Sequence, residues 1–343
     1  MSKNTSIQRR KDDHLDINLT KNVKSMIGTS LEKYVFVHHA LPDMDLEFVD
    51  PSSSFFGRSL SYPLLISSMT GGTSKSSDIN RVLASIAQEF RIAMGVGSQR
   101  IGLEQPDSMN YFKVRDTAPD ILLFANLGAV QLNYSYTEEH CKRAIDAIEA
   151  DALILHLNPL QEAVMGDGDT NFFGLLKKIE KVCKNLTVPV VVKEVGWGIN
   201  TLTAKQLVEV GVQAIDVAGA GGTSWSQVEK YRTDKNLNKM IAEAFQDWGI
   251  PTAEALVDLQ KAFPAIPVIA SGGLKNGVDV AKCIALGAKL AGFAGSFIRA
   301  AANSIDELHN YALVITQQFK IAMFCVGAKN LSELDQSKIR KVE

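Results

Sequence analysis

Eight short runs of apolar, largely β-branched residues alternate with longer segments of helical periodicity, and this alternation constrains the fold most strongly. The runs cover residues 64–69, 92–97, 121–126, 152–157, 188–193, 213–218, 267–271 and 290–294. The near-continuous apolar character of residues 188–192 is typical of parallel strands covered on both faces. Because right-handed crossovers keep consecutive parallel strands adjacent, eight such units predict an α/β fold, a closed (β/α)8 TIM barrel.

The segments between the runs predict the helices of the barrel. These helices are expected at residues 78–90, 137–150, 171–185, 203–210, 277–286 and 304–324. Thr137 and Thr203 stand where hydroxyl N-caps are expected. An open doubly wound sheet is the alternative fold, but its glycine fingerprint does not follow the first run, which has only Gly71 and Gly72.

Two parts of the chain lie outside the repeat. Residues 1–60 precede the first strand and are predicted to be an N-terminal extension that covers the barrel mouth. Residues 223–250 form an insertion after the sixth strand; they are polar, rich in Lys and contain Trp225 and Trp248. We expect this insertion to be a mobile flap within a barrel domain that spans residues 61–343.

Composition excludes several classes of protein. The chain has 343 residues and a formal net charge of −2, so we expect no binding of nucleic acid. We expect no membrane span, since no apolar run reaches about 18 residues, and no secretory signal in the polar N-terminus. Cys141, Cys183, Cys283 and Cys325 lie far apart, as expected of thiols in a reducing cytoplasm.

Polar residues and glycines follow the predicted strands at their carboxyl ends, whereas strands begin with plain residues such as Pro189 and Pro267. The residues at the carboxyl ends include Ser68, Met69, Thr70, Ser98, Gln99, Arg100, Asn126, His156, Asn158, Gln161, Glu162, Lys193 and Thr223. Because active sites of such barrels lie at the carboxyl ends of the strands, we expect these residues to share one face.

Glycine-bearing turns follow the seventh and eighth strands, at residues 271–273 and 294–296. Barrels commonly bind a phosphate at these two strands, although glycines also simply make tight turns. Lys193 ends an apolar strand, so its ammonium group is expected in the barrel mouth, facing an anion, an electron-rich ring or an acid such as Glu162 or Asp216. A phosphate site, polar donors and an opposed cation are together what flavin mononucleotide (FMN) requires.

Glu162 is a candidate metal ligand or general acid or base, although a solvated loop glutamate is the commonest interpretation of such a residue. Mg2+ takes one or two protein carboxylates and completes its shell with water and substrate phosphates, so one Glu suffices for a diphosphate. Arg10, Lys11, Arg100 and His156 are candidate donors to that diphosphate. The alternatives are a solvated charge cluster for Arg10 and Lys11 and a satisfied core histidine for His156.

The sequence resembles the type 2 isopentenyl-diphosphate isomerases, which are FMN-dependent. The specific parts of the resemblance are Arg10-Lys11-Asp12-Asp13-His14 and His156-Leu157-Asn158-Pro159-Leu160-Gln161-Glu162. Supporting motifs follow other strands, among them Ser68-Met69-Thr70-Gly71-Gly72, Ser98-Gln99-Arg100, Lys193-Glu194-Val195-Gly196 and Ser271-Gly272-Gly273. The match runs in order from residue 10 to about residue 300.

The resemblance implies that isopentenyl and dimethylallyl diphosphate are interconverted with reduced FMN, Mg2+ and NADPH as reductant. The residues expected to bind FMN are Ser68, Met69, Thr70, Ser98, Asn126, Lys193, Thr223, Gly273, Leu274, Lys275, Ala294 and Gly295. The residues expected to bind substrate are Arg10, Lys11, Ser98, Gln99, Arg100, His156, Asn158 and Gln161. Glu162 is the expected Mg2+ ligand, and Gln161, Lys193 and His156 are the expected catalytic side chains.

The resemblance also implies a cytoplasmic homo-oligomer, commonly a homotetramer, whose partner is a small diphosphate. A flavin-dependent dehydrogenase or oxidase on the same barrel is the main alternative enzyme. It would need a base beside the flavin, and no strand end offers a His-x-x-Arg pair or a catalytic Cys. A non-catalytic phosphate-binding scaffold is the alternative outside enzymes.

Overall fold

A closed barrel of eight parallel strands forms the centre of the protein, and the predicted fold is confirmed. The computed structural model describes residues 3–69 and 71–342, with side chains from residue 8 onward. The described strands are β1 (Tyr34–Phe36), β2 (Ser53–Phe55), β3 (Arg58–Leu60), β4 (Leu64–Ile66), β5 (Ala93–Gly95), β6 (Leu123–Gly128), β7 (Ala152–His156), β8 (Val190–Lys193), β9 (Ala214–Asp216), β10 (Val268–Ser271), β11 (Leu290–Phe293) and β12 (Ile339–Lys341). Strands β4 to β11 pair in chain order, and β11 closes the barrel on β4.

Helices surround the barrel. The described α-helices are α1 (Lys3–Thr20), α2 (Ser74–Phe90), α3 (Arg100–Glu104), α4 (Glu138–Asp146), α5 (Pro159–Val164), α6 (Leu175–Asn185), α7 (Thr201–Glu209), α8 (Trp225–Arg232), α9 (Asn236–Glu243), α10 (Thr252–Ala262), α11 (Gly277–Ala285), α12 (Gly295–Asn303) and α13 (Ile305–Cys325). Short 3-10 helices span Leu31–Lys33, Leu46–Phe48, Pro106–Phe112, Ala129–Asn133 and Gln336–Lys338. No helix in the described part of the chain is long and apolar enough to span a bilayer.

The eight predicted strands correspond in order to β4 through β11. Their residues are buried on both faces, as in β8, where all four positions are buried. Inside the barrel, Leu65, Phe124, Ile154 and Ile269 belong to one apolar cluster that fills the interior. Burial of these side chains from water stabilises the closed sheet that carries the site.

The N-terminal extension divides between the two ends of the barrel. Helix α1 lies at the mouth, where Arg10 and Lys11 line a cavity. The β2–β3 hairpin instead packs Phe55 and Leu60 into the interior cluster beside Leu122, next to the first residue of β6. The hairpin therefore packs at the opposite end of the barrel, away from the mouth. A covering role for the rest of residues 1–60 stays a prediction.

The structure differs from the predictions at the start of α7 and in residues 223–250. The N-cap of α7 is Asn200, whose side chain accepts a hydrogen bond from the Thr203 backbone at 2.8 Å, and not Thr203 as predicted. Residues 223–250 fold into helices α8 and α9, and α8 buries Val228 and Glu229. The movement of this segment as a flap stays a prediction.

Candidate active site

A cavity of about 920 Å³ opens at the carboxyl ends of the barrel strands and is partly covered by α1. The predicted flavin-binding residues that line it are Ser68, Met69, Ser98, Asn126, Lys193, Thr223, Gly273, Leu274, Lys275, Ala294 and Gly295. The predicted substrate and metal residues that line it are Arg10, Lys11, Arg100, His156, Asn158, Gln161 and Glu162. Thr70 lies outside the described residues. The predictions therefore converge on one cavity.

Gln99 is the exception among the described candidates. Its side chain is fully buried, and its amide donates to the Ala144 carbonyl at 2.8 Å. Its carbonyl oxygen accepts a hydrogen bond from the Asn126 backbone at 3.0 Å. These bonds direct the Gln99 side chain away from the cavity into the protein, so it does not line the cavity as predicted. A role of Gln99 in substrate binding stays a prediction.

Lys193 is the last residue of β8 and reaches the floor of the cavity. The side chain is buried, and Nζ donates to the Glu194 carbonyl oxygen at 2.6 Å. Two neighbouring hydroxyls, Ser67 Oγ and Ser68 Oγ, are buried without a hydrogen-bond partner among the described residues. Because an unpaired buried polar group is costly, these atoms indicate where a polar ligand completes the site.

The glycine turns bring backbone close together on another wall of the cavity. Gly273 has a φ of +80°, and a Cβ atom there would lie 2.3 Å from the carbonyl carbon of Gly221. Helix α12 begins at Gly295 on the same wall, so its N-terminal amides face the cavity. Arg299, which sequence reasoning missed, also lines the cavity. Glycine backbone, a helix N-terminus and a guanidinium are groups that bind phosphate.

His156 is the last residue of β7, and its ring contacts Asn126 of the adjacent strand β6. Its Nδ1 lies 2.7 Å from Oδ1 of Asn126. Burial, together with the positive charges of Lys193, Lys11 and Arg10, lowers the pKa of His156 to about 3. The imidazole is therefore neutral at physiological pH, and its Nε2 atom remains to contact a ligand.

Glu162 on α5 has a buried carboxylate held by neutral donors. Its Oε1 accepts from Asn158 Nδ2 at 2.8 Å, and its Oε2 accepts from the Asp169 backbone at 2.6 Å. The Asp169 carboxylate in turn accepts from Arg100 Nη1 at 2.6 Å. No group of three His, Cys, Asp or Glu side chains with metal-site geometry occurs among the described residues. Any metal here would depend on water and substrate oxygens beside Glu162.

A second carboxylate, Glu229 of α8, lies behind Gln161 and was missed by sequence reasoning. Its Oε1 accepts from Gln161 Nε2 at 3.1 Å and from His14 Nε2 at 2.8 Å, and its Oε2 accepts from Arg232 at 2.6 Å. Burial alone would raise the pKa of Glu229, but the hydrogen bond and charge of His14 and the charge of Arg232 lower it to about 2. The only signal in the sequence that could have pointed to this contact is the motif from Arg10 to His14, whose last residue bonds Glu229.

Lys11 attaches α1 to the rim of the barrel. Its ammonium group donates to the carbonyl oxygens of Gly71 and Ser98, at 2.6 and 2.7 Å. Burial and the neighbouring charge of Arg10 lower the pKa of Lys11 to about 7. The group is therefore poised to gain a proton when an anion enters the cavity.

The chain is similar over nearly its whole length to proteins of one named family. The chain is 49% identical over 341 residues to an isopentenyl-diphosphate delta-isomerase of Rickettsia felis, with 99% of each chain covered. It is 50% identical over 337 residues to one of Nostoc sp., covering 98% of this chain and 96% of the relative. Residues 160–341 match the family model of FMN-dependent dehydrogenases.

Solved structures share the fold at low sequence identity. A mandelate oxidase variant with 2-hydroxy-phenylacetamide superposes with a TM-score of 0.68 at 18% identity, covering 99% of this chain and 98% of that chain. A flavocytochrome b2 variant superposes with a TM-score of 0.68 at 15% identity, covering 96% of this chain and 82% of that chain. This likeness shows a shared barrel architecture.

Proposed function

The chain belongs to the isopentenyl-diphosphate delta-isomerase family, an FMN-dependent group of isomerases, and from that premise we propose how its residues carry out the reaction. The proposed reaction interconverts isopentenyl and dimethylallyl diphosphate by a 1,3-allylic proton shift. One proton is added to the terminal methylene carbon, and another is removed from the carbon adjacent to the one that carries the diphosphate. No net oxidation occurs.

The observation that carries the proposal is the arrangement of two sets of groups in one cavity. Lys193 and the glycine turns line the same space as Arg100, His156 and Glu162. The first set suits a flavin phosphate and ring, and the second suits a metal-bound diphosphate. A reaction that needs both in contact is therefore supported by this arrangement.

The described residues fit FMN. Unpaired hydroxyls of Ser67 and Ser68 would receive its polar groups. The turn at Gly273, which has no room for a Cβ atom beside the Gly221 backbone, would hold its phosphate. Lys193 would favour negative charge on the ring. Bound in reduced form, FMN supplies an electron-rich face that stabilises a tertiary cation and an acid/base group for proton exchange.

Glu162 would hold Mg2+, and Arg10, Lys11 and Arg100 would orient the diphosphate. The Glu162 carboxylate accepts hydrogen bonds only from the Asn158 amide and the Asp169 backbone among the described residues, so its charge is uncompensated by a cation. A buried carboxylate of this kind stabilises a divalent cation. Fixing the diphosphate holds the reacting carbons in one position, which lowers the entropic barrier.

Gln161 and His156 would contact the substrate near the reacting carbons. The Gln161 amide is held at both ends, because its Nε2 donates to Glu229 and its Oε1 accepts from Asn158 at 3.2 Å. His156 is neutral, so it adds no competing positive charge beside a cationic transition state. Helix α1 and residues 223–250 would exclude water from the closed mouth.

The family resemblance also supports the remaining assignments. We propose NADPH as the reductant that maintains the active flavin, a homotetramer or larger homo-oligomer, and a cytoplasmic location. A dehydrogenase or oxidase is the second candidate function, since the matching family model is named for FMN-dependent dehydrogenases. The cysteines do not favour it, because Cys141, Cys183, Cys283 and Cys325 lie in helices outside the cavity.

Anaerobic turnover in deuterated water tests the proposal. The purified protein is supplied with FMN, dithionite or NADPH, Mg2+ and isopentenyl diphosphate, and the label in dimethylallyl diphosphate is located by NMR. We expect deuterium in the new methyl group, dependence on both FMN and Mg2+, and substoichiometric use of NADPH. Stoichiometric loss of NADPH would favour the oxidoreductase, and full activity without FMN would refute the proposal.

Lys193→Ala provides the residue-level test of the cofactor site, with Lys205→Ala as the control. Lys205 lies on α7 outside the cavity, where its side chain is exposed. We expect Lys193→Ala to lose both FMN affinity and turnover, and Lys205→Ala to retain them. Retention of both properties by Lys193→Ala would show that the flavin ring does not lie beside Lys193.

A further inference from the structure

We propose that Asp216 is a positioning residue of the flavin site, which balances the charge of Lys193 and joins two turns of the cavity wall. This inference rests on the proposed binding of FMN. Asp216 does not line the cavity, and it would act through Lys193, Ala218 and Ser271, which do. From the sequence, Asp216 is predicted only as a possible acid partner of Lys193.

Asp216 lies directly beside Lys193 in the sheet. The two residues are partners in the parallel pairing of β8 with β9, and each is the last residue of its strand. Paired residues of adjacent strands point to the same side of a sheet, so the carboxylate and the ammonium group share one environment. Burial raises the pKa of Asp216, and the charge of Lys193 opposes that rise.

One oxygen of Asp216 connects two loops. Oδ1 accepts a hydrogen bond from Ser271 Oγ at 2.6 Å and from the Ala218 backbone at 3.2 Å. Ser271 precedes the turn at Gly272 and Gly273, and Ala218 lies in the loop that leads from β9 to Thr223. Both loops carry residues proposed to hold FMN, so a single carboxylate fixes their separation.

Ala218 shows why this connection is needed. It has a φ of +38°, a left-handed conformation that is costly for a residue with a side chain. The hydrogen bond from its backbone to Asp216 is one of the contacts that hold this conformation. Without the acceptor, the loop would relax toward a less strained backbone and the cavity wall would shift.

The second oxygen of Asp216 carries the electrostatic part of the inference. Oδ2 is fully buried and has no hydrogen-bond partner among the described residues. The charge of Lys193 and the hydrogen bonds from Ser271 and Ala218 favour the ionised carboxylate against the effect of burial. The charge of that carboxylate acts on Lys193 with little screening by water. It lowers the positive potential that Lys193 produces at the flavin ring, so it sets how strongly the site prefers the reduced anionic form over the oxidised form.

Two substitutions separate charge from position. Asp216→Asn keeps an oxygen acceptor for Ser271 and Ala218 but removes the negative charge. We expect the ratio of reduced to oxidised FMN affinity to rise about tenfold, a shift of roughly +30 mV for a two-electron couple. Ser271→Ala keeps the charge but removes one bond, so we expect both affinities to fall together, by about tenfold or more for a hydrogen bond to a charged group, with the ratio unchanged.

The measurement is anaerobic titration of apoprotein with oxidised and with reduced FMN, combined with the midpoint potential of the bound flavin. Asp258→Asn, an exposed carboxylate on α10, is the matched control and should behave as the wild type. A loss of packing alone would weaken both affinities without moving the potential. The potential is therefore the readout that identifies a charge effect.

The outcomes distinguish this inference from the proposed function. Wild-type protein that binds neither form of FMN would overturn the proposed function and the inference with it. Wild-type protein that binds FMN, together with an Asp216→Asn variant of unchanged or lower potential, would overturn the inference alone. If Asp216→Asn does not fold by circular dichroism, Ser271→Ala decides, and wild-type FMN affinity in that variant would overturn the inference.

Discussion

The side-chain amide of Gln161 donates a hydrogen bond of 3.1 Å to Oε1 of Glu229, a residue that lies 68 positions further along the chain. The same oxygen accepts from His14 on α1, at 2.8 Å. Glu229 therefore connects the proposed catalytic amide to the helix that covers the mouth. The orientation of Gln161 and the position of α1 depend on one buried charge.

Glu229→Gln is expected to reduce kcat. The substituted amide keeps the shape of the side chain but removes the charge that draws the donors of Gln161, His14 and Arg232 together. Substitution of a residue that orients a functional side chain commonly costs on the order of tenfold to a hundredfold in activity, and we expect a fall in kcat in that range. Steady-state kinetics with kcat and KM measured separately provide the test. Glu243→Gln, in the exposed ion pair with Lys230, is the control, and equal kcat values in the two variants would contradict the prediction.

Glu162→Gln is expected to raise the Mg2+ concentration needed for half-maximal activity by about tenfold or more, since a neutral amide is a weaker ligand than a carboxylate. Titration of activity with Mg2+ at fixed substrate provides the measurement. Asp167→Asn is the matched control. The Asp167 carboxylate is exposed, and its Oδ1 makes only a long contact of 3.9 Å with Nη2 of Arg232. An unchanged Mg2+ requirement in Glu162→Gln would remove this residue from the metal site.

Lys11 is expected to take up a proton when a diphosphate binds. Its pKa of about 7 means that Lys11 is only partly protonated at neutral pH. An anion beside it raises this pKa, so binding at pH 7 to 8 should draw a proton from the buffer. Calorimetric titration with inorganic pyrophosphate in HEPES and in Tris measures the uptake. Proton uptake that persists undiminished in Lys11→Gln would assign it to another group.

His156 is expected to remain neutral across the working pH range of the enzyme. Because its pKa falls from an ordinary value of 6.5 to about 3, the unfolded chain binds a proton in this window that the folded chain does not. The stability of the fold should therefore decrease as pH falls from 6.5 toward 3, and His156→Asn should lose part of this decrease. Denaturant unfolding at several pH values tests the sign. A chemical shift that titrates near pH 6.5 in the folded protein would contradict the prediction.

Much of the barrel was predictable from local pattern. Each barrel strand is an apolar run because both of its faces are covered, and this signal lies within a few consecutive residues. Helices α8 and α9 were missed because residues 223–250 are polar, and a polar segment forms stable helices here only by packing on neighbours. The polar helix α1 was missed for the same reason.

The sequence by itself determined that the chemistry-bearing residues gather at one rim, because parallel strands in a closed barrel present all their carboxyl ends on the same side. It did not determine which way each side chain turns. Gln99 points into the protein between Ala144 and Asn126, although its neighbours Ser98 and Arg100 line the cavity. Only the tertiary structure brought His14 to Glu229, across 215 positions, since such a bond depends on packing between elements and leaves no local pattern in the chain.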